Sequence, residues 1–99
     1  MSNQARADKE RYERQLNHYR SLMKVNKRDL DGKPFLAVQI DFWLESIRFL
    51  ITELEIWDYM GKTAKYYETI NKIHKALNRV HRLILYLDEG DAKDDGPEI

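Results

Sequence analysis

The sequence predicts an all-α fold: an antiparallel three-helix bundle, up-down-up, with coiled-coil-like heptad packing. Three observations carry this prediction. Two long segments repeat apolar residues in alternating steps of four and three, the spacing that keeps one side of a helix against a partner, and a weaker segment precedes them. The 99 residues include only four glycines and two prolines, too few for the many turns of a sandwich or barrel. The segments are similar in length and joined by short connections, which makes sequence neighbours antiparallel. A helical hairpin that completes its core by dimerising is the alternative architecture.

The middle segment, 34–60, carries the strongest pattern: Leu36, Ile40, Trp43, Ile47, Leu50, Leu54 and Trp57. Asp31, Gly32 and Pro34 mark the turn before it, because proline suits a first helical turn and cannot continue a preceding helix. Gly61 supplies a C-terminal stop, since glycine takes the left-handed conformation without steric cost, and Thr63 is the expected N-cap of the next helix. The third segment, 63–88, repeats the spacing with Tyr66, Ile70, Ile73, Leu77, Val80, Ile84 and Leu87, and ends at Gly90. The first, 4–29, shows it in Tyr12, Leu16, Tyr19 and Met23, widened by Leu22 and Val25. Each helix is then roughly 36–39 Å long. The helical domain covers 11–90. Residues 1–10 are expected to fray, because only Ala5 and Ala7 are apolar before Tyr12. The acidic tail 91–99, with Gly96-Pro97 and no periodicity, is expected to be disordered.

Composition narrows the function. At 42% hydrophobic and 34% charged the chain fits a soluble helical protein rather than a disordered one. The absence of cysteine excludes disulfides and thiolate chemistry. No apolar run of a signal peptide occurs in the first thirty residues, so a cytoplasmic location is expected. The middle helix carries Asp41, Glu45, Arg48, Glu53 and Glu55, too many charges for a membrane span. The formal net charge of zero hides an uneven pattern. Segments 1–33 and 61–87 are basic (+4 and +5), whereas 34–60 and 88–99 are acidic (−4 and −5). Intramolecular attraction between neighbouring helices is the simpler expectation, and a basic outer face for a polyanion is the other.

A second apolar line runs along the middle helix. Phe35, Phe42, Phe49 and Ile56 recur every seven residues, about 100° around the helix from the Leu36/Trp43/Leu50/Trp57 line. Either the first and third helices each cover one line, or this line faces another chain. The first helix has a thin apolar stripe, and aromatics at this density suit an interface core. Leu85 and Tyr86 fall on the side of the third helix that faces water elsewhere, and they also need a cover. These six residues are the candidate protein interface, for a homodimer or a protein partner.

Lys65, Lys72, Lys75, Arg79 and Arg82 line the third helix opposite its apolar seam, and Lys24, Lys27 and Arg28 add a cluster near the end of the first. Such rows neutralise phosphates in a sequence-tolerant way, which makes nucleic acid the alternative partner, with the acidic tail as a shield for the basic face. Solvent-facing charge on a bundle accounts for the same residues. Enzymatic signals are weak. Gly61-Lys62-Thr63 echoes a phosphate-binding loop, but Ile56 stands where its first glycine belongs. Arg11 and His18 have the spacing of an Arg–His pair in some helical ribonucleases, a loose pattern. His74 and His81 are about 10 Å apart along the axis, too far to share a metal, although a His18–Glu53–His74 polar cluster is conceivable if the helices are in register. No cofactor, metal, small-molecule substrate, catalytic residue or membrane is expected. The expected function is a non-enzymatic helical-bundle protein for interaction or assembly, with a nucleic-acid-binding regulatory protein as the alternative.

Overall fold

Alternating four- and three-residue apolar spacing leaves each helix one face to bury, and three such faces close on one another. The computed structural model describes residues 3–26 and 34–94, with side chains over 3–23 and 35–87. Its elements are α1 (Asn3–Asn26), α2 (Pro34–Tyr59) and α3 (Thr63–Asp94). Cross-helix pairs set the directions. Lys9 meets Glu55 and Arg20 meets Glu45, so α1 and α2 are antiparallel. Asp8 meets Tyr66, Tyr12 meets His74 and Tyr19 meets His81, so α1 and α3 are parallel. The result is the up-down-up three-helix bundle, a rod of 55 × 19 × 16 Å in which α2 and α3 form the most extensive pair.

The α2–α3 turn shows how local chemistry sets the topology. Gly61 has φ 70°, and Lys62 N–H donates to the Trp57 carbonyl at 2.8 Å while Gly61 N–H donates to that of Asp58 at 3.1 Å. These two bonds are the paired closure of a left-handed glycine cap. The Lys62 carbonyl accepts the first bond of α3, from Tyr66 N–H, so Lys62 is the N-cap and Thr63, expected in that role, is the first helical residue.

The core differs from the expected seam on α2. Ile40, Leu44, Ile47, Ile51 and Leu54 are buried, while Leu36, Trp43, Leu50 and Trp57 are only half-buried. Because α2 touches two helices, its inner face is wider than one heptad line. Ile51 borders a groove shared with Leu16, Asn17 and Arg20 of α1, and Trp43 and Leu50 border one shared with Ala76 of α3. The second inner line is therefore Leu44/Ile51, and the idea that α1 or α3 covers the Phe35/Phe42/Phe49/Ile56 line does not hold.

Both ends of the expected domain also move. α1 is helical from Asn3, with Ala5 and Asp8 buried against the bundle, so residues 3–10 are part of the fold rather than frayed. Asp8 is only 4% exposed and hydrogen-bonds the hydroxyl of Tyr66 and the amide of Gln4 (3.1 Å). Those bonds make a buried carboxylate tolerable. At the other end α3 continues through Gly90 to Asp94. A helical glycine costs only about 1 kcal/mol, which helical neighbours offset, so the expected stop is not used. Residues 91–94, expected to begin a disordered tail, are therefore helical, and residues 1, 2, 27–33 and 95–99 lie outside the described residues, with the rest of the tail prediction and the turn expected at Asp31 and Gly32.

Candidate interaction surface

The line expected to be interface is on the outside. Phe35, Phe42, Phe49 and Ile56 are 72%, 63%, 71% and 47% exposed. Val38, which the sequence reading did not single out, is exposed beside them. Large side chains of this kind offer about 150–250 Å² each, so the stripe displays roughly 500 Å² of apolar surface. That is near the upper end of what a monomer leaves uncovered. Its polar neighbours are internally satisfied: Ser46 Oγ donates to the Phe42 carbonyl at 3.0 Å, and Thr52 Oγ1 to that of Arg48 at 3.2 Å. Covering these hydroxyls would therefore leave no donor unpaired.

The stripe continues into a groove. Phe42 packs edge-to-face on Trp43 with ring centroids 5.6 Å apart. Trp43 and Leu50 form the groove floor with Ala76 of α3, and Lys72, Lys75 and Arg79 form its far wall, enclosing about 500 Å³. At one end Lys65 Nζ lies 5.3 Å from the Trp57 ring centroid, and the Trp57 indole donates to Glu53 at 3.4 Å. The Lys65–Trp57 contact and the shared groove set the register of α2 against α3. Phe42 then shares a level with Arg79, Phe49 with Lys72 and Ile56 with Lys65, while Phe35 shares one with Tyr86. Two heptad lines read separately in the sequence thus border one face, aromatic on one side and basic on the other. Leu85 is exposed but lies about 100° from Tyr86 around α3, toward the α1 side, so the fold does not bring it to this face.

The charge pattern resolves differently on the two sides of α2. Toward α1, the expected intramolecular attraction is present as Lys9–Glu55 at 3.0 Å and Arg20–Glu45 at 3.3 Å. The hydrogen bond to Glu55 holds the Lys9 ammonium charged to a higher pH than usual. Toward α3, none of Lys72, Lys75, Arg79 or Arg82 forms an ion pair with a carboxylate among the described residues. The acidic residues beyond Asp94, expected to act as their shield, lie outside the described residues. The side chains of Lys24, Lys27 and Arg28 lie outside the described ones.

The remaining polar cluster sits between α1 and α3. Arg11 approaches Asp8 at 3.4 Å and donates to the Tyr12 hydroxyl at 3.0 Å. That hydroxyl is 2.7 Å from His74 Nε2. A guanidinium can only donate, so the Tyr12 oxygen accepts from Arg11, and the direction of its second hydrogen bond, with the imidazole, follows the His74 tautomer. His74 is therefore engaged by Tyr12 rather than His18, which stacks near Tyr19. Register separates His18 from His74, and among the described residues no three His, Cys, Asp or Glu side chains gather to hold a metal ion. Burial, then the hydrogen bond to Asp8, push the Tyr66 phenol well above its ordinary value of 10. The Asp8 cluster was not legible as a site because its partners come from helices far apart in sequence.

Fold and surface together define a small all-α three-helix bundle with one uncovered aromatic and basic face. No protein-family model, curated protein or solved structure matches the chain. Among the described residues no helix is long and apolar enough to cross a membrane.

Proposed function

We propose that this chain is a non-enzymatic interaction and assembly protein that receives a helix of a protein partner on its α2–α3 face. The observation that carries this reading is the exposure of Phe35, Phe42 and Phe49 beside a core already filled by Leu44, Ile51 and their neighbours. The fitting partner is an amphipathic helix with an apolar ridge for the stripe and groove, and acidic flanks for Lys72 and Arg79. Phe42→Glu and Phe49→Glu test it. Both variants are expected to keep the helix content of the parent by circular dichroism and to melt cooperatively as monomers. Loss of helix content in dilute solution would return the stripe to the core and overturn the reading.

A second reading, nucleic-acid binding through Lys65, Lys72, Lys75, Arg79 and Arg82, is favoured by the unpaired state of the last four among the described residues. It predicts sequence-tolerant binding that weakens steeply with salt.

A further inference from the structure

We infer that the helix received on this face is α2 of a second copy of the chain, so that the protein forms a homodimer in which each α2 lies over its partner's α3. The inference rests on the interaction reading above and names its occupant. The argument is one of complementarity. The face needs an amphipathic helix with an apolar ridge and acidic flanks, and this chain exposes one. The outer side of α2 presents Phe42, Phe49 and Ile56, flanked by exposed Glu45, which also meets Arg20, and by half-buried Glu53, which accepts from the Trp57 indole. The receiving helix, in segment 61–87, carries six basic residues and one acidic. The cations that face needs to have neutralised are those the fold leaves without ion pairs.

Symmetry selects the arrangement. A two-fold axis across the rod would place α3 on α3 and set the basic rows against each other. A two-fold axis along the rod instead places α2 over the partner's α3 at the same level. With the register above, Glu45 then falls between Lys75 and Arg79 of the other copy, and Glu53 between its Lys65 and Lys72. Both interfaces form at once, because each copy supplies one acidic and one basic helix. The roughly 500 Å² stripe of each copy is covered by the aliphatic stems of the other copy's Lys72/Arg79 row, whose charged ends reach outward to the carboxylates at the rim, bringing each copy toward the area of about 800 Å² of an ordinary stable interface.

The test is a charge exchange read by light scattering. The parent chain is expected at twice 11.9 kDa. Lys72→Glu with Arg79→Glu, and separately Glu45→Lys with Glu53→Lys, are each expected to run as monomers. An equimolar mixture of the two double variants should restore the dimer mass, since both of its interfaces again join opposite charges. A monomeric parent at every concentration overturns the second-copy inference while leaving the interaction reading to its own test. A parent dimer that survives both charge reversals but is dissociated by Phe49→Glu overturns the α2-over-α3 arrangement and keeps the aromatic face as the interface. A dimer unaffected by Phe49→Glu as well overturns both.

Discussion

The hydroxyl of Tyr66, in the first turn of α3, donates to the buried carboxylate of Asp8, near the start of α1. This bond joins residues 58 positions apart and ties the start of α1 to the start of α3. Replacing Asp8 by Ala leaves a buried phenol without its acceptor and is expected to cost about 1–3 kcal/mol. Asp8→Asn keeps an acceptor and should recover part of that loss. Urea denaturation of the three proteins gives the comparison.

The same pair gives an alkaline signature. Because the Tyr66 phenol titrates higher in the folded chain than its ordinary value of 10, its contribution is complete below that pH. It is lost as the pH rises beyond 10, where the unfolded chain ionises first. The stability gap between the parent and Tyr66→Phe should therefore be constant from neutral pH to about 9 and narrow above about 10. A gap that widens with alkalinity would contradict the assignment.

Core and surface positions on α2 should respond oppositely to truncation. Leu54 is fully buried, and Leu54→Ala is expected to cost about 2–5 kcal/mol, with the spread set by how far the cavity collapses. Phe49→Ala removes a larger side chain, yet in dilute monomeric solution it should change stability by no more than about 0.5 kcal/mol. Thermal melts of both variants at low concentration check this.

Gly61→Ala isolates the cost of the backbone conformation. No atom lies within 4 Å of the added Cβ, so the penalty comes from the left-handed φ alone and is expected at about 1–2 kcal/mol. Gly61→Asn should cost less, because asparagine visits that region more readily.

If the basic row contacts phosphates, Lys72→Glu, Arg79→Glu and Arg82→Glu should each weaken binding to DNA or RNA of any sequence and lower its salt dependence. An electrophoretic shift assay at low salt measures this directly. No shift with either polymer removes the nucleic-acid reading.

The sequence by itself determined the three helices, their order and the Gly61 turn, because periodicity and caps act within a few residues. It also marked the Phe35/Phe42/Phe49/Ile56 line and the Lys65/Lys72/Arg79 row as unusual. Only the tertiary structure decided that these lines border one groove, since their adjacency depends on the register of α2 against α3. It also decided that Leu44 and Ile51, rather than the phenylalanines, face α1, because turning an amphipathic helix about its axis leaves its local pattern unchanged. The burial of Asp8 and the separation of His18 from His74 follow from the same cause. Local spacing sets which residues share a helix face, but packing against the other two helices sets which way that face points.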